Sequence, residues 1–417
     1  MMILKNISLF DSNTFALTKV HLLIHSDENG RYHPIEERDF PAGVEVLNCE
    51  GQMAMKAFAN GHHHAYSTLA RGMPFPENPP RDFVEILEKI WWNLDKNLTS
   101  EMNEISAYYT AIASAKNGVS AVIDHHSSPF AIHHSLETMY NAIQKVGLDS
   151  VLCYEISDRD GELIRDKALE ETEEYLRNHL GLVGLHASFT LNDDTLQKAA
   201  SLALETNSGV HIHLAEAEAD QIDSINKYHK RVVERLSDFG FLTIPKSIFA
   251  HGLYLSSKEK EMIASSPVYV VQNPESNLNN KVGYFNGKEM GNHIMLGTDG
   301  MHSNMIRSAQ TAYFTGQNFE DIDMQAIYTR LRNVNRYLET HFGDNGNDLL
   351  IMDMDTPTPI HQNNYLGHFF FGFENRHIRH LIKNGNFIMR DKKLQNVDEE
   401  IIKKEAQKLA LYLWKKL

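Results

Sequence analysis

Histidine and carboxylate side chains suited to binding a metal ion follow several apolar segments of the chain. The 417 residues contain 23 histidines, and many of them are clustered rather than evenly spread. The candidates are His62, His64, His186, His213, Glu216, His251 and Asp299. Imidazole nitrogens and carboxylate oxygens are common zinc ligands, and a carboxylate near an attacking water can accept its proton. These residue types predict metal-assisted hydrolysis, provided that the fold brings them to one place.

The spacing of the histidines indicates which of them share a face of their strand. Residues two apart in a strand point to the same side, so His62 and His64 both point into the predicted site and His63 points away. His211 shares the face of His213 but lies one layer deeper, and we expect it inside the fold rather than on the metal. Three imidazoles and one carboxylate suit zinc. The predicted ligands are His62, His64, His213 and Asp299.

For other residues near these segments, the sequence gives weaker support for a role in binding or catalysis. Glu216 comes three residues after His213, where a strand gives way to a loop, and we expect it to carry protons to the leaving group. An isolated His-x-His pair on a strand is more often incidental than a ligand, so the set matters more than any member. His125 and His126 are expected behind the site or in the core. The helical spacing of apolar residues around Trp91 and Trp92 (residues 83–94) predicts packing roles for both.

Eight apolar segments of strand length alternate with amphipathic helices through the middle of the chain. They are residues 55–60, 119–123, 150–156, 182–186, 210–214, 247–253, 269–272 and 294–298. Eight such units over about 290 residues match the size and order of a (β/α)8 barrel, an α/β fold whose active sites lie at the carboxyl ends of the strands. A doubly wound parallel sheet is the alternative, and eight parallel units in this length favour closure.

Shorter strand-like segments lie at both ends of the chain. Polar turns separate residues 3–10 from 20–24, and residues 348–352, 367–371 and 378–382 have the same texture, with a last helix over 399–416. Either group is too small to form a stable sheet alone. We therefore predict a small β-sandwich domain built from residues 1–54 and 345–417, attached to a hydrolase barrel of residues 55–344.

Charge and composition exclude some classes of protein. The 40 Lys and Arg residues against 55 Asp and Glu give a formal charge of −15, which argues against nucleic acid or an anionic membrane as the main partner. No apolar run approaches the ~18 residues needed to span a bilayer, and the first residues lack the pattern of a signal peptide. Two cysteines, Cys49 and Cys153, are too few for a disulfide framework. A cytoplasmic protein is expected.

Motifs at the predicted site also match a known family. They are residues 60–64, 213–216, His251, 273–277 and 296–300. Together they resemble the amidohydrolase superfamily, in its branch of aminohydrolases and chlorohydrolases acting on aromatic nitrogen heterocycles. Within that branch, the chain most resembles the aminohydrolases associated with selenium metabolism. That closer likeness depends on residues 69–73, 87–96, 122–126, 184–190, 357–359 and 364–368.

The resemblance implies a role for each candidate. His62, His64, His213 and Asp299 hold one divalent ion, zinc before iron or manganese. His251 orients or polarises the attacked group, and Glu216 carries protons. The implied substrate contacts are His186, Arg71 and Asn273, and an ion pair with a neighbouring carboxylate is the alternative for Arg71. Members with two metals use a carbamylated lysine at the fourth strand, and its absence here implies a single ion. Lys56 and Ala57 stand where the family has Pro-Gly.

The implied reaction is hydrolytic deamination of a small purine-, pyrimidine- or pterin-like ring, in which zinc brings the pKa of a water towards ~7. Asp299 accepts the proton of this water, and residues 72–80, rich in proline, are a candidate lid. Two alternatives stay open: a cyclic amide hydrolase that opens the ring at the same site, and a catalytically silent scaffold. The presence of Glu216 argues against the scaffold. A homodimer is implied by family analogy alone.

Overall fold

Five short strands begin the chain in the computed structural model, which describes all 417 residues. Strands β1 to β5 span Met2–Phe10, Leu17–Ile24, Tyr32–Pro34, Glu45–Asn48 and Gln52–Lys56. The turn between β1 and β2 is held by Asp11, whose Oδ1 accepts the backbone N–H groups of Asn13 at 2.8 Å and Thr14 at 3.0 Å. Asp commonly stabilises turns in this way, which explains the polar break between the two strands.

Eight parallel strands follow. Strands β6 to β13 span Phe58–His63, Val119–His126, Asp149–Tyr154, Val183–Ala187, Val210–Leu214, Ile248–His251, Tyr269–Gln272 and Ile294–Leu296. Strands β6 to β8 form a three-stranded sheet in chain order, and β9 to β13 form a five-stranded one. Every residue of β6, β7, β9, β10, β11 and β13 is buried. Burial on both faces is typical of parallel strands covered by helices and explains their nearly unbroken apolar sequences.

Isolated backbone bridges link the two parallel sheets at both of their edges. Leu152 of β8 bridges to Gly181, and Ile156 bridges to Leu185 of β9. At the opposite edges, His63 of β6 bridges to Asp299, and the His62 carbonyl accepts the backbone N–H of Asp299 at 3.0 Å. The carboxyl ends of β6 and β13 therefore lie side by side.

Fourteen α-helices connect or cover these strands. Helices α1 to α7 span Phe83–Ile86, Trp92–Lys96, Ser100–Lys116, Ser135–Val146, Glu162–Asn178, Asp193–Glu205 and Glu218–Tyr228. Helices α8 to α14 span Val232–Asp238, Ser257–Ala264, Pro274–Asn279, Met305–Phe319, Met324–Phe342, Tyr365–Phe371 and Glu399–Trp414. A π-helical turn over Leu87–Trp91 joins α1 to α2. None of the helices combines the length and the apolar character needed to cross a membrane.

The last four strands join the first five in one sheet. Strands β14 to β17 span Leu349–Asp353, Ile378–Lys383, Asn386–Arg390 and Lys393–Leu394. The sheet has the order β17-β16-β15-β14-β5-β1-β2-β3, and β4 pairs with β1. The antiparallel pairing of β14 with β5 sets Leu350 opposite Met55. Strands from both ends of the chain thus meet in one mixed sheet of nine strands.

The structure differs from the sequence-based expectations in two places. Residues 367–371, expected as a strand, lie in helix α13, because a short aromatic run suits a buried helix as well as a strand. The segment 55–60 belongs to two strands, since β5 ends at Lys56 and β6 begins at Phe58. Between them, the Ala57 N–H donates to the Asp348 carbonyl at 2.9 Å. Ala57 therefore marks the passage from the mixed sheet to the parallel strands.

Candidate active site

Four of the predicted metal ligands converge at the carboxyl ends of the parallel strands. His62 belongs to β6, His64 follows β6, His213 belongs to β10, and Asp299 follows β13. His64 Nε2 lies 3.1 Å from His213 Nε2 and 3.1 Å from Asp299 Oδ1. His62 Nε2 lies 3.5 Å from the same carboxylate oxygen. All four residues are buried, so the sequence spacing correctly predicted which side chains meet.

Backbone carbonyls determine which ring nitrogen carries the proton in two of these histidines. His64 Nδ1 lies 2.6 Å from the His125 carbonyl, and His213 Nδ1 lies 2.9 Å from the His186 carbonyl. A carbonyl oxygen only accepts, so both Nδ1 atoms are the donors and, in the neutral rings, both Nε2 atoms present lone pairs. Two lone pairs 3.1 Å apart repel each other unless a positive charge, either a proton or a metal ion, lies with them.

The charges at the site favour a cation in the same way. Burial lowers the pKa of His62 to about 4, although the Asp299 carboxylate opposes this effect. In His64, burial is outweighed by the same carboxylate, which raises the pKa to about 9. Burial alone would raise the pKa of the Asp299 carboxyl, but the neighbouring imidazoles of His62 and His64 hold it well below its usual value. Asp299 is therefore an anion that requires a positive partner.

The dimensions of this group fit a tetrahedral zinc site. Ligand nitrogens 2.0–2.1 Å from a zinc ion lie about 3.3 Å from one another at tetrahedral angles. Three separations within the group are close to that value, 3.1 Å between the His64 and His213 nitrogens and 3.1 and 3.5 Å from Asp299 Oδ1 to His64 and His62. His62 Nε2 is moreover buried without a hydrogen-bond partner, as expected of an atom whose natural partner is an ion. The residues present thus fit the metal that the sequence implies.

Asp299 is held by neighbours that leave one of its oxygens directed at the histidines. Its Oδ2 accepts the hydroxyl of Ser276 at 2.5 Å, and its Oδ1 accepts the Gly300 N–H at 2.9 Å. Such hydrogen bonds fix the orientation of a ligating carboxylate. Ser276 lies in the matched motif 273–277, but nothing in the sequence indicates that its hydroxyl donates to Asp299.

His251 and Glu216 lie next to the four converging side chains. His251 Nδ1 donates to the Asn277 amide oxygen at 2.8 Å. Its Nε2 is buried without a hydrogen-bond partner, 3.5 Å from Glu216 Oε2 and 3.8 Å from Asp299 Oδ2. Burial raises the pKa of Glu216, which favours its protonated form closer to neutral pH. The arrangement therefore provides a proton carrier beside the predicted metal position.

The backbone is strained where several of these strands end. Ala215 after β10, His251 at the end of β11 and Asp299 after β13 have φ values of +42°, +73° and +52°. Residues other than glycine seldom adopt this left-handed region, and such strain is concentrated at functional sites. The strain turns the chain sharply at the ends of β10, β11 and β13, where Glu216, His251 and Asp299 line one cavity.

The cavity above these residues has an aromatic and apolar wall. Phe83 and Leu87 together with Trp91 and Trp92 contribute this wall from α1, the π-helical turn and α2. His186 lines the cavity next to this wall, with its ring centroid 5.9 Å from that of Trp92. The expectation that the two tryptophans serve only for packing is therefore wrong. Helical periodicity identifies the side that faces protein, but it does not show that the protein surface there is a cavity.

Two of the predicted substrate contacts do not line this cavity. Arg71 lies in a separate cleft, together with Tyr109 of α3 and Trp414 of the C-terminal helix α14. Asn273 is completely buried, and its side-chain amide has no hydrogen-bond partner. The resemblance implied both contacts, but the helical turn over residues 65–70 places Arg71 in the other cleft, and Asn273 lies buried directly before α10.

The segment after β8 contributes two charged residues that sequence reasoning missed. Glu155 and Arg159 both line the cavity. Arg159 forms an ion pair with the buried Asp95 and contacts Asp160 at 3.1 Å, with its guanidinium 5.3 Å from the Trp92 ring. The sequence does contain an indication of their role, because the charged segment 155–160 follows a strand, as the candidate histidine ligands do.

The chain belongs to the amidohydrolase family, whose model matches residues 53–337. It is similar to the 5-methylthioadenosine/S-adenosylhomocysteine deaminase of Desulforamulus reducens, with 26% identity over 396 residues that cover 88% of each chain. It is also similar to the 5'-deoxyadenosine deaminase of Methanosarcina mazei, with 26% identity over 92% of this chain and 91% of the relative.

A solved structure shares the fold. An adenosine deaminase from Xanthomonas campestris, crystallised with bound zinc, superposes with a TM-score of 0.85 at 17% identity, covering 99% of this chain and 98% of that one. The predicted superfamily is confirmed, as are an α/β fold and an enzyme of the hydrolases acting on carbon–nitrogen bonds other than peptide bonds.

Proposed function

We propose that this protein is a metal-dependent deaminase that releases ammonia from a nitrogen heterocycle. The observation that carries the proposal is the convergence of three imidazoles and one carboxylate, in which His64 lies 3.1 Å from both His213 and Asp299 and His62 lies 3.5 Å from Asp299. Family membership supports hydrolysis of a carbon–nitrogen bond. Among purine-, pyrimidine- and pterin-like rings, the relatives named as deaminases of adenosine derivatives favour a purine nucleoside.

In this proposal one divalent ion is held by His62, His64, His213 and Asp299. Zinc is favoured over iron or manganese because the donor set is three imidazoles and a carboxylate, and because the similar Xanthomonas enzyme was crystallised with zinc. When bound, zinc supplies a Lewis acid that brings the pKa of water towards ~7.

The residues around the ion divide the proton transfers between them. Asp299 takes up the proton of the attacking water, since its carboxylate stays ionised and its Oδ1 faces the centre of the site. His251 orients that water through Nε2, which has no other partner. Glu216 gives a proton to the departing amine, and the raised pKa of its carboxyl suits an acid working near neutral pH.

The heterocycle stacks against the aromatic wall, beside His186, in this proposal. Flat rings stack favourably on aromatic side chains, and Trp91 and Trp92 provide such faces on one side of the cavity. His186 Nδ1 lies 2.7 Å from the Thr190 hydroxyl, which holds the ring in place for contact with substrate. Glu155, which also lines the cavity, adds an acceptor for hydroxyl groups of the substrate.

The scaffold proposed for this site is a closed (β/α)8 barrel of residues 55–344, with a β-sandwich domain of residues 1–54 and 345–417. The bridges from β8 to β9 and from His63 to Asp299 support closure, because they join the two parallel sheets at both edges. The nine-stranded sheet supports the composite domain, since it draws strands from both ends of the chain. The proposed homodimer and cytoplasmic location stay predictions, and light scattering in solution tests the dimer.

The experiment that tests the function is an ammonia-release panel on zinc-loaded protein. Adenosine, 5'-deoxyadenosine, guanine, cytosine and a pterin are compared, with ring absorbance and product mass followed in the same reactions. Deamination predicts one ammonia per turnover, an intact ring and a mass gain of about one unit, since oxygen replaces NH. Loss of the ring chromophore without ammonia supports the cyclic amide alternative. No turnover of any compound by fully loaded protein supports the scaffold.

A further inference from the structure

His62 differs from the other two proposed histidine ligands in the group that its Nδ1 faces. His64 and His213 each direct Nδ1 at a backbone carbonyl, which fixes their protons. His62 Nδ1 instead lies 2.9 Å from Nε2 of His211. An imidazole nitrogen donates in one tautomer and accepts in the other, so the position of the His62 proton depends on that of His211.

Cys153 is the next group along this buried chain. His211 Nδ1 lies 3.5 Å from Cys153 Sγ, and the sulfur lies 3.6 Å from the Asp124 carbonyl. His62, His211 and Cys153 are all completely buried, and these contacts are the only partners available to their polar atoms on this side. The protein alone therefore determines which group donates and which accepts in each hydrogen bond from His62 to Cys153.

Two arrangements of the protons satisfy the contact between the two imidazoles. In the first, His62 Nδ1–H donates to His211, His211 Nδ1–H donates to the sulfur, and the thiol donates to the Asp124 carbonyl. In the second, the thiol donates to His211 and His211 donates to His62, so the carbonyl receives no bond from the thiol. The second arrangement also places a proton on His62 Nε2, 3.5 Å from Asp299.

We propose that Cys153 and His211 are positioning residues that hold His62 in the tautomer with its proton on Nδ1 and its lone pair on Nε2. This inference rests on the proposed function, because it gives His62 a metal to bind. In this first arrangement every donor of the chain faces a hydrogen-bond acceptor, whereas in the second the proton on His62 Nε2 has no hydrogen-bond partner and faces the Asp299 carboxylate only at 3.5 Å. The first arrangement also leaves His62 Nε2, which is buried without a hydrogen-bond partner, free for the ion.

A buried ion among His125, Cys153 and His211 is the rival explanation of the same residues. One ligand atom from each lies within 4.8 Å of the others, and both ring nitrogens of His125 lack partners. An ion on His211 Nδ1 would, however, leave the proton of that neutral ring on Nε2. His211 would then donate to His62, and the proton of His62 would occupy the nitrogen that faces Asp299. Such an ion would compete with the proposed site.

The test compares metal binding in two matched pairs of variants of the full chain. The amide oxygen of His211→Gln still accepts from His62, whereas His211→Leu does not. Cys153→Ser keeps an acceptor for His211, whereas Cys153→Ala removes it. Zinc dissociation constants are measured by competition with a chelator, and cobalt-loaded protein is examined by proton NMR in H2O and D2O. Each ligating histidine with a protonated Nδ1 contributes one shifted signal that disappears in D2O.

The parent is expected to bind one equivalent and to show three exchangeable signals. Loss of a group behind a ligating histidine typically weakens metal binding 10- to 100-fold. We expect a loss of this size in His211→Leu with one of the three signals lost, and a smaller loss in Cys153→Ala. The Gln and Ser variants should bind within about threefold of the parent. If His211→Leu does not fold, the Cys153 pair carries the test.

Unchanged zinc affinity and an unchanged set of signals in His211→Leu and Cys153→Ala would overturn the positioning role of Cys153 and His211, but not the proposed function. Two equivalents of metal in the parent, with the second lost in Cys153→Ser, would overturn it in favour of the buried ion. A parent that binds neither zinc nor cobalt would overturn the proposed function together with the assignment.

Discussion

Replacement of Glu216 by glutamine should separate metal binding from proton transfer. Glutamine has nearly the same shape as glutamate but cannot donate a carboxyl proton to a departing amine. The other carboxylates that line the cavity already have charged partners: Asp299 faces the histidines, and Glu155 lies 3.6 Å from the Arg159 guanidinium. A positioned general acid contributes roughly 10²- to 10⁴-fold to rate. At 1.36 kcal/mol per tenfold change, the loss corresponds to about 3–5 kcal/mol of transition-state stabilisation.

The assay measures kcat on the best substrate of the ammonia panel, with zinc content determined on the same samples. Glu216→Gln should keep about one equivalent of zinc, because no ligand is removed, and should lose at least 100-fold in kcat. The matched control is His213→Ala, which removes a ligand and should lose both the metal and turnover. A Glu216→Gln variant within threefold of the parent would refute the proton-transfer role, and one that lacked zinc would refute its position outside the ligand set.

The remaining predictions concern stability and substrate binding. Burial raises the pKa of Asp220 to about 7 from 3.8, so the folded protein binds more protons than the unfolded chain between these values and its stability falls as pH rises. In urea titrations, the parent should lose about 2 kcal/mol more unfolding free energy between pH 5 and 7 than Asp220→Asn does. The control is Asp321→Asn, which should follow the parent because the Asp321 side chain is 98% exposed. Equal pH slopes in all three proteins would contradict the raised pKa of Asp220. Trp92→Ala should raise KM about 10- to 100-fold with kcat within threefold, because stacking on an aromatic ring contributes roughly 1–3 kcal/mol per base. Trp92→Phe should recover most of the lost affinity for substrate. An unchanged KM in steady-state kinetics would show that Trp92 does not contact the substrate.

The parallel strands, and the meeting of the four side chains proposed as ligands, could be predicted from the sequence for a physical reason. Strands buried on both faces have short continuous apolar sequences, so β10 and β12 were predicted with the bounds that the structure gives them. Their carboxyl ends meet at one edge, and the two-residue periodicity of a strand then decides which histidines face each other. His62 on β6 and His64 just after it are the clearest case, since both point to the site and His63 turns to Asp124 at 3.0 Å.

The substrate side could not be predicted, because it depends on how a connecting segment folds back over the strands. Trp91 and Trp92 have the same helical spacing whether they face a core or a cavity. Arg71 is only seven residues from His64, yet a helical turn carries it to a different cleft. The partners of Asp299 and of His62 could not be predicted either, because Ser276 in α10 and His211 in β10 reach them through contacts between elements that are distant in the sequence.

The most direct test of the whole account is a crystal structure of zinc-treated protein with anomalous data collected at the zinc absorption edge. The account predicts one strong peak, 2.0–2.2 Å from His62 Nε2, His64 Nε2, His213 Nε2 and an oxygen of Asp299. A peak at another group of residues, or no peak in protein that is otherwise intact, would contradict it.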